Sequence, residues 1–292
     1  MSAELITGSV MVIAMYFILA PRFNTYLYRA LLFFPSRFPP DFEGVPALEC
    51  VAGEDVYFKG SMGQTLNGWY FHKGDSEYHI LFSHGNSGNL TIRHHLTKLM
   101  LRSGYSVFVY DYQGFGRSSG KPTIHGICSD GEAAYDYLVN ERGVDPRKIV
   151  LYGESLGCSV ASHLSTVRPC QGLILQSGFS SLVRIACKHF PLLYAYPAAL
   201  YPKPALDNLT IVKNSKVPLL FIHGDLDRVI PVQHAVDMYE AAPGVKHFVR
   251  LPGTAHGDVW STAEKEYLDA LSAFPQNFAP LAASQPVDRY SV

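Results

Sequence analysis

The chain has 292 residues, 48% hydrophobic and 17% charged, which is enough apolar material for one large domain or two small ones and excludes a disordered chain. Lys and Arg total 24 against 25 Asp and Glu, a net charge of −1 that gives no global field to hold a polyanion, so a dedicated nucleic-acid binder is excluded. The 5 cysteines (Cys50, Cys128, Cys158, Cys170 and Cys187) form no CxxC pair, and HExxH, Walker and GxGxxG patterns are missing, so no disulfide framework, zinc site, metal or cofactor is implied.

The first element is the run Leu5 to Ala20, 16 residues without a charge, ending at Pro21 and Arg22. It is slightly shorter than the roughly 20 residues that span a bilayer core. A cleaved signal peptide fits poorly, because the only side-chain charge before the run is Glu4, where a basic residue is wanted, and the small-residue cleavage pattern is weak. The expectation is a single-pass membrane anchor over residues 1–40, with the membrane as a partner; a buried N-terminal helix is the alternative. Tyr26, Tyr28, Phe33 and Phe34 beside Arg22 and Arg29 suit a headgroup region. Arg22, Arg29 and Arg37 all follow the run and favour a cytoplasmic catalytic domain, whereas the NLT sequons at Asn89 and Asn208 could be used only on the other side.

A Pro-rich join at Pro35, Pro39 and Pro40 leads into an antiparallel pair, Asp55–Lys59 and Leu66–His72. Short apolar runs then alternate with helical patterns. The strands expected are Tyr78–Ser83, Ser106–Tyr112, Lys148–Tyr152, Gly172–Gln176, Val217–His223 and Lys246–Leu251. The helices expected are Leu90–Leu101, Asp130–Glu141, Ser155–Thr166, Val232–Ala241 and Val259–Phe274. Strands that are apolar without alternation belong in a parallel sheet covered on both faces. The reading is one α/β domain over residues 41–275, interrupted at 178–216 by a Tyr-, Leu- and Pro-rich stretch that fits a short lid. Residues 276–292 lose periodicity and read as a tail.

Two GxSxG matches occur, Gly116 to Gly120 around Ser118 and Gly153 to Gly157 around Ser155. A nucleophile elbow turns directly from a strand into a helix, with small neighbours because the turn is crowded. Ser155 follows the strand KIVLY at once and opens the helical SLGCSVASHL, whereas Ser118 runs into Lys121 and Pro122 and reads as a glycine-rich loop. Ser155 is therefore the expected nucleophile. A serine hydroxyl needs a base to take its proton and a carboxylate to orient that base, in the chain order Ser, acid, His on this architecture. His256, in LPGTAHGDVW after the last strand, fits the base. The acid should leave the strand ending at His223, where Asp225 and Asp227 both qualify; Asp258 lies too close to His256. The oxyanion of an attacked carbonyl needs two backbone N–H donors. Leu156, after the nucleophile, supplies one, and the loop SHGNSG supplies the other through Asn86. Cys158 reads as a small buried hydrophobe.

The motifs SHGNSGN, YDYQGFGRSSGKP, LYGESLG, HGDLDRVIP and GTAHGD, in this order, resemble those of the α/β-hydrolase superfamily, in particular its Bem46-like, membrane-anchored abhydrolase-domain serine hydrolases. The likeness covers about residues 20 to 275. It implies an α/β-hydrolase fold with a mostly parallel sheet, helices on both faces and a short lid. It also implies Asp227 as the acid, Asp225 as a turn residue and Asn86 as the second oxyanion donor. The cysteine-rich N-terminal cluster of the depalmitoylating members has no counterpart; a hydrophobic segment stands in its place. The function expected is a serine hydrolase cleaving an ester or thioester of a lipid-like acyl substrate through an acyl-enzyme. A peptidase is the alternative within the class, and a non-catalytic binding protein of this fold the alternative outside it. All three triad residues are present, which weighs against the latter. An elbow serine where a haloalkane dehalogenase carries an aspartate weighs against that chemistry too.

Overall fold

Successive side chains of a strand point to opposite faces, and here both faces are apolar. The computed structural model describes residues 3–274. In chain order its elements begin with helices α1 (Ala3–Leu19) and α2 (Thr25–Leu32), followed by strands β1 (Phe34–Pro35), β2 (Gly53–Lys59), β3 (Thr65–Phe71), β4 (His79–Ser83) and β5 (Ser87–Gly88). Next come α3 (His94–Arg102), β6 (Ser106–Asp111), α4 (Ile124–Asn140), β7 (Ile149–Glu154), α5 (Gly157–Val167), β8 (Gly172–Gln176) and α6 (Leu182–His189). The chain closes with α7 (Asn208–Lys213), β9 (Leu219–Gly224), α8 (Gln233–Ala241), β10 (Lys246–Leu251), α9 (Val259–Thr262) and α10 (Glu264–Ala273).

Among the described residues, 8 strands form one sheet in the order β10, β9, β8, β7, β4, β6, β3, β2. Every pairing from β10 to β6 is parallel, and β3 runs antiparallel to both β6 and β2. The alternation sorts the core into two layers. Leu81, Phe108 and Leu151 pack with Ala134, Val160 and Met238 of α4, α5 and α8. Ile80, Phe82, Val107, Val150 and Ile174 pack on the other face with Leu96, Leu99, Tyr267 and Leu271 of α3 and α10. The expected α/β architecture is thus the observed one.

Besides helices α2, α6 and α7, which the sequence patterns did not mark, differences lie at element ends and have local causes. Helix α4 begins six residues before the expected start at Asp130, because the Thr123 side chain accepts the Gly126 N–H and caps it. Its two glycines, Gly126 and Gly131, weaken the helical pattern, yet Cβ atoms there would meet Gln113 and Val160 at 1.6 and 2.5 Å. Close packing therefore requires them. The last predicted helix is broken at Ala263, whose φ of −140° separates α9 from α10. Residues 276–292, read as a tail, lie outside the described residues.

The N-terminus corrects the sequence reading. Among the described residues no helix is long and apolar enough to cross a membrane. Helix α1 has 17 residues, about 26 Å of rise against a hydrocarbon core of about 30 Å. The single-pass anchor is not supported, and the argument for a cytoplasmic catalytic domain, which depended on a span, falls with it. The segment instead bonds to its own chain. The Tyr16 hydroxyl donates to the Ala195 carbonyl at 2.7 Å and its ring stacks on Tyr196. The Arg22 backbone and side chain donate to Leu200 and Ala199 carbonyls. The asparagines of both NLT sequons are buried and bonded, Asn89 to Ser36 and Arg37 and Asn208 to Ser159 and Phe179, so neither presents its amide for glycosylation in the folded chain.

One buried base gives the fold a pH dependence. His79, at the start of β4, is buried with the Tyr70 hydroxyl 3.2 Å from its Nδ1 and the His72 ring stacked beside it. Burial, then the charges of His72 and Lys148, pushes its pKa down to about 4. On acidification the unfolded chain therefore takes the proton first. This contribution to stability is full above the ordinary histidine pKa of about 6.5 and is lost as pH falls toward 4, at roughly 1.4 kcal/mol per pH unit. Thermal melts from pH 7 to 4.5 are expected to show a steeper fall for wild type than for His79→Gln; parallel curves would refute it.

Candidate active site

The carboxyl ends of β4, β7, β9 and β10 lie along one edge of the parallel sheet, with β8 between β7 and β9, and each of the four is followed by a loop carrying sequence-predicted residues. At the end of β7 the chain reverses at Ser155, whose φ is +54°, a left-handed conformation that side-chain-bearing residues rarely adopt. The Ser155 N–H donates to the Gln176 carbonyl of β8, and its own carbonyl accepts the Cys158 N–H, which starts α5. This explains why α5 begins at Gly157 and not at Ser155. The small flanking residues are sterically required: a Cβ on Gly157 would meet the Ser83 carbonyl oxygen at 1.9 Å, and one on Gly153 the Cys158 Cα at 2.4 Å. Gly157→Ala is expected to cost at least about 3 kcal/mol, a fall in Tm of roughly 6–12 °C. A melt within 2 °C of wild type would contradict this packing.

His256, in the loop after β10, places Nε2 3.1 Å from Ser155 Oγ and Nδ1 2.6 Å from Asp227 Oδ2. Because a carboxylate only accepts, Nδ1 carries the proton and Nε2 presents its lone pair to the serine hydroxyl. The Asp227 side chain is fully buried. Its Oδ1 accepts the Val229 and Ile230 N–H groups at 2.9 and 2.8 Å. His223 Nε2 stands 2.7 Å from the Ile230 carbonyl and 3.2 Å from Asp227 Oδ2, so its N–H serves mainly the carbonyl and only secondarily the acid. Burial opposes ionisation of Asp227, but hydrogen bonding from His223, His256 and the Ile230 N–H outweighs it and holds the carboxyl well below the usual carboxylate range.

The other candidates separate cleanly. Asp225 Oδ1 accepts the Gly253 N–H at 2.8 Å and ties the turn after β9 to the one after β10. Asp258 opens α9, where its carbonyl accepts Ser261 and Thr262. Ser118 is fully buried; its Oγ donates to the Asp111 carbonyl at 2.7 Å and accepts the Asn67 N–H at 2.9 Å. Cys158 is buried with Sγ 3.1 Å from the Gly153 carbonyl, and burial pushes its thiol up.

The loop after β4 passes close to Ser155: a Cβ on Gly85 would lie 3.5 Å from Ser155 Cβ. The Asn86 side-chain amide donates to the Leu32 carbonyl at 2.8 Å, and the Asn86 carbonyl accepts the Phe34 N–H at 2.8 Å. The Asn86 side chain and carbonyl are thus both engaged by the segment Leu32 to Phe34, one residue along the chain from Gly85. Sequence reasoning missed what surrounds this loop. The stretch read as a Pro-rich join is a strap, with β1 pairing parallel to β5 and Arg37 donating to the Gly116 and Ser118 carbonyls. Arg93 and Glu154, neither singled out from the sequence, also meet here; the second position of GESLG was the available signal for Glu154.

Comparison with known proteins places the chain among relatives. A family model described as serine aminopeptidase, S33, matches residues 74–205. An uncharacterised protein of Mycobacterium tuberculosis is 34% identical over 250 residues, covering 84% of this chain and 86% of that protein. The alpha/beta hydrolase domain-containing protein 17C of Mus musculus is 34% identical over 206 residues, 70% of this chain and 62% of that protein. Among solved structures, a Pyrococcus furiosus esterase superposes with a TM-score of 0.68 at 21% identity, over 84% of this chain and 97% of that one. At that identity the likeness is one of fold.

Proposed function

The chain belongs to the α/β-hydrolase superfamily, and from that premise we propose that it is a serine hydrolase cleaving an ester or thioester of a lipid-like acyl substrate. The observation that carries the reading is the unbroken chain of hydrogen bonds from Ser155 Oγ through His256 to buried Asp227. His256 Nε2 takes the hydroxyl proton as Oγ attacks the carbonyl, and Asp227 stabilises the imidazolium. The Leu156 and Asn86 backbone N–H groups hold the developing oxyanion. His256 then passes its proton to the leaving alcohol or thiol. Water, deprotonated by the same base, releases the acyl group.

Residues 178–216 act as the short lid in this reading. At its centre Phe190, Leu192 and Tyr194 are exposed, which supports an apolar acyl chain over a charged substrate. The segment is docked on the acid loop, with Lys188 and His189 on the Arg228 and Val229 carbonyls. The name of the matching family model raises aminopeptidase activity as the second reading. Such an enzyme needs a carboxylate free to bind the substrate ammonium. Glu154, the residue before the nucleophile, is instead paired with Arg93.

Incubation of the wild-type protein with a fluorophosphonate probe tests the class, followed by p-nitrophenyl esters, acyl thioesters and aminoacyl p-nitroanilides. Labelling with ester or thioester turnover that rises with acyl length is expected. Turnover of anilides alone would turn the reading to a peptidase, and a folded, unlabelled protein to a non-catalytic binding protein.

A further inference from the structure

The loop carrying the Asn86 N–H is gripped on both sides of that residue by one ion pair. Glu154, the last residue of β7, accepts the Gly85 N–H on Oε2 at 3.2 Å. Arg93, just after the turn Leu90–Ile92, donates from Nη2 to the Ser87 carbonyl at 2.8 Å. The two side chains meet with Arg93 Nε 3.2 Å from the same Glu154 oxygen, and are only 10% and 17% exposed. Residues 85 and 87 are thus held through polar side chains anchored outside the loop, and residue 86 lies between them. The pair is also close to the chemistry. A Cβ on Gly85, 3.5 Å from Ser155 Cβ, would stand 3.6 Å from Arg93 Nη2 and 3.7 Å from Glu154 Cδ.

Geometry and charge then make separate demands. The loop needs the Glu154 acceptor to keep Gly85 in place. Yet a bare carboxylate next to the nucleophile would oppose the negative charge that develops on the substrate oxygen, most strongly where water is excluded. We infer that Arg93 and Glu154 are positioning residues for the reaction: together they aim the Asn86 N–H at the oxyanion, and Arg93 cancels the charge of the carboxylate that does the aiming. The inference rests on the serine-hydrolase reading above.

The test uses full-length Arg93→Met, Glu154→Gln and the double variant, with kcat and KM on a p-nitrophenyl ester and affinity for an acyl trifluoromethyl ketone, whose serine adduct carries the oxyanion. Arg93→Met leaves Glu154 uncompensated and is expected to lower kcat about 10²-fold, the scale of a lost oxyanion donor, with KM within about twofold. Affinity for the ketone falls in parallel. Glu154→Gln keeps an acceptor for the Gly85 N–H but a weaker one, and is expected to lose roughly three- to tenfold. The double variant, with no unpaired carboxylate, recovers about tenfold over Arg93→Met. A purely structural role predicts the reverse, a double variant no better than the worse single one, and that result overturns the inference. So does an Arg93→Met enzyme with wild-type kcat and ketone affinity. If Arg93→Met does not fold, Glu154→Gln decides alone: its kcat and ketone affinity must fall together at unchanged KM. Wild type that neither labels nor turns over would instead defeat the serine-hydrolase reading itself.

Discussion

Ser155→Ala is expected to abolish fluorophosphonate labelling and to lower kcat by on the order of 10⁵- to 10⁶-fold, while Tm stays within a few degrees of wild type. The loss is large because, in the proposed mechanism, this hydroxyl forms the acyl-enzyme. What remains is the background that substrate binding and the backbone donors supply. The fold survives because alanine keeps the Cβ and the same left-handed backbone, while the hydroxyl contributes only its contact with His256. Ser118→Ala is expected to do the opposite. It strips the Asn67 N–H and the Asp111 carbonyl of a shared partner in a fully buried position, at a cost of about 1–3 kcal/mol, with kcat within about threefold of wild type. Labelling, ester turnover and thermal melts on the two variants separate the roles. Loss of labelling in Ser118→Ala with retention in Ser155→Ala would mean that the other GxSxG carries the chemistry.

Asp227→Asn is expected to lower kcat about 10⁴-fold near neutral pH. The amide is nearly isosteric, and its oxygen can still accept the Val229 and Ile230 N–H groups, so the loop persists. Its nitrogen, however, then donates to His256 Nδ1. That forces the proton onto Nε2, where it faces Ser155 Oγ and the ring can no longer act as a base. Asp225→Ala removes only the tie to the Gly253 N–H and is expected to lower kcat less than about tenfold, with a stability loss near 1 kcal/mol. Steady-state kinetics give the ratio, and nitrogen NMR of the imidazole reports the tautomer in each variant. An Asp225→Ala enzyme more impaired than Asp227→Asn would reassign the acid.

Much of this site was legible from the residues because its signals are local. A strand whose side chains are apolar on both faces declares itself as KIVLY or GLILQ whatever surrounds it, and the sheet follows from repeated alternation with helical periods. The elbow is legible for the same reason. Gly153 and Gly157 are demanded by the crowding of one turn, and a turn is written in consecutive residues. The choice between Ser155 and Ser118 likewise needed only what precedes and follows each serine.

Tertiary structure decided whatever depends on groups distant along the chain. Asp225 and Asp227 share one turn and one residue type; only the position of His256, brought in from the end of β10, makes one of them its partner. The apolar run at the N-terminus read as a membrane span by composition. A span requires length as well as hydrophobicity, and α1 stops at Leu19. The grip of Arg93 and Glu154 on the loop around Asn86 joins residues 61 positions apart, and the strap from Leu32 to Arg37 crosses to residues 86–89 and 116–118. Residue order alone determined the elements, the elbow and the set of candidate groups, because these follow from neighbours in the chain. Which of those groups touch, and which charges pair beside Ser155, became fixed only when the sheet brought the ends of β4, β7, β9 and β10 to one edge, since hydrogen bonds and ion pairs act over a few ångströms of space and not along the chain.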